Sequence, residues 1–167
     1  SSFATNPKRN EIIKDIESLI ANPHENPKKQ AHEIHSLQTK WQLLDQSSKP
    51  ASREQWITFK ELTDKAWIPC AEYYDELKKI KISNAKQREN IIQSLIQYSS
   101  SHSDKWPGLI EMSKFLSKTF KEWQSFAPVL DEDFTKLKAA YQEARKPINN
   151  AIKEQETKNY KIKELLI

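Results

Sequence analysis

From Trp56 to Ile80 the apolar positions advance by three and four residues in turn: Trp56, Phe59, Thr63, Ala66, Cys70, Tyr73, Leu77 and Ile80. That alternation puts them on one face of a long helix. The pattern returns 78 residues later as Phe134, Leu137, Tyr141, Ala144, Ile148 and Ala151, then fades into Gln155 and Lys158. In both copies a proline, Pro69 or Pro147, stands between the fourth and fifth positions. A proline so far inside a helix removes a backbone hydrogen bond, so each copy is expected to bend or break there. The chain reads as a duplicated helical unit.

The remaining elements follow from start and stop signals. Residues 1–7 are expected to form a disordered tail, with Asn6-Pro7 as cap and first helical position. The helix that follows carries Ile12, Ile13, Ile16, Leu19 and Ile20 and ends at Asn22-Pro23. Asn26-Pro27 repeats the start signal for a helix bearing Ile34, Leu37, Trp41 and Leu44, which is expected to stop near Asp45. Ser52 and Gln55 fit a capping box opening the seam helix. Ser83-Asn84 either caps a new helix or is passed through by one continuous rod. Tyr98 to Ser103 reads as a serine-rich loop, and Trp106-Pro107 as the start of a helix carrying Leu109, Met112, Leu116, Phe120 and Trp123. Pro128 breaks the chain and Asp131 is expected to cap the last helix.

Two further echoes support duplication. Arg9-Asn10-Glu11-Ile12-Ile13 returns 79 residues on as Arg88-Glu89-Asn90-Ile91-Ile92, and Trp41-Gln42 returns 82 residues on as Trp123-Gln124. The expected fold is all-α: an elongated antiparallel bundle of two tandem repeats with coiled-coil-like seams and long proline-bent helices. The repeats span 8–83 and 84–160, and residues 161–167 read as the start of a further copy, as in an excerpt from a longer array. Each repeat is expected to need its neighbour to cover its aromatic stripe.

Composition narrows the chemistry. A single glycine, Gly108, excludes Rossmann and Walker loops and the nucleophile elbow, all of which need several. A single cysteine, Cys70, allows no disulfide within the chain, which suits a reducing cytoplasm. No apolar run is long enough to cross a bilayer. Net charge is +4, and eight cations against four acids from Phe134 onward place an excess of that size on the last helix. There Arg145, Lys146, Lys153 and Lys158 form one candidate surface for a polyanion. Lys78, Lys79, Lys81, Lys86 and Arg88, at the join between the copies, form another.

No catalytic constellation emerges. His32-Glu33-Ile34-His35 sets two histidines three residues apart, whereas the zinc-protease helix needs four, and no third ligand is evident. They read as solvent-facing residues flanking a buried Ile34. Asp131-Glu132-Asp133 reads as acids favoured by a helix dipole. Cys70, on the seam, lacks the exposure and the base that a nucleophile requires. No catalytic, cofactor-binding or metal-binding residue is assigned. Trp67 and Tyr74 lie off the seam, seven residues apart and so on one face. They form either a satellite core or a contact patch for a protein.

Leu37-Gln38-Thr39-Lys40-Trp41, followed by Trp56-Ile57-Thr58-Phe59, resembles the repeats of the bacterial "domain of unknown function 349" family. The second copy offers Phe120-Lys121-Glu122-Trp123, then Phe126-Ala127-Pro128-Val129 and Phe134-Thr135-Lys136-Leu137. The resemblance implies a bacterial cytoplasmic protein with more repeats than these two, and it carries no catalytic residue. The expected function is a non-enzymatic interaction scaffold binding a protein partner, without a cofactor and without a membrane. The alternative is an RNA- or ribosome-associated module using the basic helix faces.

Overall fold

A computed structural model describes residues 2–166, with side chains from residue 7 onward. Five α-helices and no strand occur among them: α1 (Ser2–Ala21), α2 (Pro27–Ser47), α3 (Arg53–His102), α4 (Leu109–Ser125) and α5 (Asp131–Leu165). The chain divides into two compact units, Ser1–Leu77 and Lys78–Ile167, and α3 contributes to both.

In the first unit, the apolar stripes of three helices converge. Ile12, Ile16 and Leu19 of α1, Ile34, Leu37 and Trp41 of α2, and Phe59 and Ala66 of α3 form one core. Trp41 stacks on Phe59 at 4.2 Å between ring centroids, tilted by only 8°. The unit thus has its own core for its tryptophan. Full burial of such a side chain contributes about 1.5–3 kcal/mol. In this respect the expectation of a borrowed wall is overturned.

Two expected caps are present. The Asn26 side chain accepts from the Lys28 N–H at 2.9 Å, ahead of Pro27. Ser52 and Gln55 exchange reciprocal bonds of 3.2 Å, each side chain accepting from the other's backbone N–H. The first start signal is corrected: α1 already runs from Ser2, so Asn6-Pro7 lies within the helix and residues 2–7 are helical.

Neither interior proline interrupts its helix: α3 continues past Pro69 and α5 past Pro147. In the first unit a buried glutamine sits beside this irregularity. Gln30 Nε2 donates to the Ala66 carbonyl at 3.0 Å, and reaches the Leu19 carbonyl at 3.5 Å. Its Oε1 accepts from the His24 N–H at 3.0 Å. One side chain therefore ties the end of α1, the connection to α2 and the proline region of α3.

Cys70, one residue beyond, is fully buried with Sγ 3.5 Å from the Pro27 carbonyl. Burial raises its thiol pKa. The thiolate is the reactive form. Alkylation of Cys70 by iodoacetamide at neutral pH should therefore be at least about tenfold slower than in the urea-unfolded chain, as read by mass spectrometry.

The second unit is built from the C-terminal part of α3 with α4 and α5. Ile91, Ile92 and Leu95 pack with Met112, Leu116 and Trp123 and with Leu137, Tyr141, Ala144, Ile148 and Ala151. Trp123 stacks on Tyr141 at 4.2 Å, tilted by 21°. Of the two readings of Ser83-Asn84, the continuous rod is the one observed; Asn84 instead donates its side-chain N–H to the Pro128 carbonyl at 2.8 Å.

The serine-rich stretch is corrected from loop to helix, since α3 continues to His102. Its polar side chains bond back along the helix, Ser100 to the Gln97 carbonyl and His102 to that of Tyr98. Tyr98 also stacks on Phe115 at 3.9 Å, which anchors this turn to α4. Trp106-Pro107 precedes α4, which begins at Leu109 after Gly108. The residue capping α5 is Leu130, so Asp131, Glu132 and Asp133 occupy the first turn, where acids oppose the positive end of the dipole.

The first position of each seam is also corrected. Trp56 is 49% exposed and Phe134 50% exposed. Each is the fourth residue of its helix, ahead of the first buried seam position, and Trp56 leans on Phe59 at 6.3 Å.

Candidate functional site

The expected aromatic pair is real and extends further. Trp67 and Tyr74 stack at 5.3 Å, and Tyr73 meets Tyr74 edge-on at 5.1 Å. His35 lies 5.8 Å from Trp67 on the other side. Trp67 is partly buried and packs against the core of the first unit. Seven-residue spacing on α3 thus builds an aromatic ladder that rests on the core at Trp67 and is still half-buried at Tyr74.

The two expected basic surfaces keep most of their lysines at the surface but not their arginines. Lys78, Lys79 and Lys86 are exposed and Lys81 is half-buried, but Arg88 is buried. Its guanidinium lies 4.5 Å from the centre of the Trp123 ring, and burial lowers its pKa. Arg145 is half-buried with its guanidinium 5.4 Å from the Tyr141 ring centre, and Lys146 pairs with Glu143 at 2.8 Å. Burial pushes the Tyr141 hydroxyl pKa up, while Arg145 and Thr119 pull it down. Lys153 and Lys158 remain exposed, and with Lys161, Glu154 and Thr157 they line a shallow depression of about 340 Å³ on α5. Arginines 88 and 145 are therefore drawn to indole and phenol faces, as their flat cations favour.

His32 and His35 are exposed on either side of the buried Ile34. His24 pairs with Glu33 at 2.7 Å. Among the described residues, no three metal-ligating side chains gather. No helix there is long and apolar enough to cross a membrane.

A broad apolar groove of about 680 Å³ lies in the second unit, between the end of α3 and the middle of α5. Ile92, Ile96, Trp106, Ala140, Ala144 and Pro147 form its walls. The Ser99 Oγ is sealed from solvent without a hydrogen-bond partner, and Ser100 and Ser103 also line the groove. Pro147 has no N–H to offer the Glu143 carbonyl one turn earlier. The sequence does carry a signal for this wall. Ile92, Ile96 and Ser99 are spaced four and three along α3, with Ser103 four further on just past its end, but a loop reading of the serines hides the face they share.

A smaller hollow of about 420 Å³ in the first unit is lined by Trp41, Trp56, Phe59, Asp45 and Asp64 among others. In the same unit Arg9 is held fast. Its Nη2 donates to Asp45 Oδ1 at 2.9 Å and to the Lys49 carbonyl at 2.7 Å, with the guanidinium 5.8 Å from the Trp41 ring centre. Each unit therefore stacks an arginine, a tryptophan and a second ring. Arg9, Trp41 and Phe59 do so in the first unit, and Arg88, Trp123 and Tyr141 in the second.

No curated protein and no solved structure matches the chain. A family does: residues 54–132, from the first turn of α3 to that of α5, match the Domain of Unknown Function family DUF349.

Proposed function

We propose that the protein is a non-enzymatic interaction module of tandem helical repeats that holds a protein partner. The observation supporting this reading is the apolar groove of the second unit. Ile96 on its wall is 48% exposed. A trough of this size with few polar atoms suits the apolar face of a partner helix. The place of action in this reading is a bacterial cytoplasm, which suits the lone buried thiol.

The test is a pull-down with the wild-type chain and the Ile96→Glu variant, each with and without nuclease. Ile96 is half in solvent, so the charge should leave the fold intact while placing an unpaired carboxylate on the groove wall. One protein recovered by the wild type after nuclease treatment, and reduced at least about tenfold by the substitution, is the expected result. Equal recovery by both would reject the groove as the contact.

A second reading, an RNA- or ribosome-associated module, draws on the exposed lysines around the α5 depression. Recovery abolished by nuclease, with binding that falls steeply as salt rises, would select it over the scaffold.

A further inference from the structure

We infer that Arg88 is an anion-recognition site, and that it takes the carboxylate of an acidic side chain from the protein partner proposed above; the partner as the source rests on that proposal, the site itself does not.

The first unit shows what such an arginine needs. Arg9 is 1% exposed, and its guanidinium finds a carboxylate, Asp45, and a carbonyl, that of Lys49. Arg88 is 6% exposed and stands over Trp123 as Arg9 stands over Trp41. Yet it makes no hydrogen bond or ion pair among the described residues; its contact is the indole face. Its Nε is sealed from solvent without an acceptor, as is that of Arg9, so the two differ at the terminal nitrogens, which only Arg9 has paired.

The reason is legible in the chain. Asp45 follows Trp41 by four residues, one turn further along α2, whereas α4 ends at Ser125 and Ala127, four residues after Trp123, lies beyond it. The second unit has the cation and the ring without the anion. A guanidinium cannot shed its charge at any ordinary pH, so a buried one is normally paired. The indole face offsets part of the lost hydration but accepts none of the five N–H bonds.

A carboxylate fits better than a phosphate backbone. Asp45 supplies the precedent. The three acids in the first turn of α5 follow Pro128 closely, and the Pro128 carbonyl is tied to Asn84, one helical turn before Arg88. A string of phosphates would meet those acids, whereas one carboxylate can reach the cation alone.

The experiment records the arginine Nε–Hε signals of the intact chain by NMR, assigned with Arg9→Lys and Arg88→Lys. Sodium acetate, sodium phosphate and sodium chloride are titrated at matched ionic strength. Acetate should move the Arg88 signal along a saturable curve, at least about fivefold more than that of Arg9, whose site is filled. An Arg88 response no larger than that of Arg9, or matched by chloride, overturns the site. A response to phosphate alone overturns the carboxylate assignment.

Acetate should also move the indole N–H signal of Trp123, on whose ring Arg88 lies, and Arg88→Gln should abolish that response. If that response persists unchanged, the inference fails. The same variant should reduce recovery of the nuclease-resistant partner at least tenfold. Full recovery overturns the partner as the source of the carboxylate. Because acetate binding needs no partner, it can fail while the Ile96→Glu result stands, and the reverse.

Discussion

Replacing Trp41 with alanine should destabilise the first unit by about 3–5 kcal/mol, the range for truncating a large buried aromatic. Trp41 is 1% exposed and touches three kinds of surface at once. Phe59 stacks on one face, the Arg9 guanidinium lies nearby, and the α1 and α2 aliphatics complete the cavity. Truncation leaves a void that rigid helices cannot close, and it removes the ring beneath a buried cation. Trp56→Ala is the matched control. That side chain is half in solvent, so its loss should cost about 1 kcal/mol or less. Urea denaturation followed by far-ultraviolet circular dichroism would separate the two. Equal losses would mean that the stacked pair does not organise the core.

The second large effect is expected at Gln30, which is wholly buried. Gln30→Met keeps the length and most of the volume of the side chain, so it creates little cavity and isolates the hydrogen bonds. The His24 N–H would then be left without its partner, while the Ala66 carbonyl would keep only its place in the α3 ladder. At about 1–3 kcal/mol for a buried group left unpaired, the loss should be roughly 1–3 kcal/mol. Methionine is a natural choice here, because Met112 stands 82 residues after Gln30 and is likewise fully buried. Amide exchange at His24 and around Ala66 should also quicken more than in the rest of α3. A loss below about half a kcal/mol would mean that water or a helix adjustment satisfies those groups unaided.

These two residues also mark how far the chain can be read before it is folded. Trp41 was legible, since its spacing from Ile34 and Leu37 repeats that of a buried stripe. The seam from Phe59 to Cys70 was legible for the same reason. Gln30 was not: a glutamine near a helix start reads as solvent-facing, and only the fold brings Leu19 and Ala66 beside it. The burial of Arg88 was not legible because it stands in a run of cations, while burial is decided by Trp123, which lies 35 residues away in sequence. The serines of α3 misled in the opposite sense, as their composition suggests a loop but their hydroxyls can bond along a helix. Periodicity thus delivers helices and stripes. It does not deliver polar contacts made across helices, where the candidate sites lie.

The stacked partner of each tryptophan carries one more implication. Phe59 is the second seam position of α3, but Tyr141 is the third of α5, so the ring that meets the tryptophan stands four residues, or about 6 Å of helix, further along its seam in the second unit. A column-by-column profile that pairs Phe59 with Leu137 and Thr63 with Tyr141 scores both columns as mismatched, although both units make the contact. Searches for distant kin would gain sensitivity by accepting the ring at either of the two columns. What such searches should track is the sandwich, not the letter.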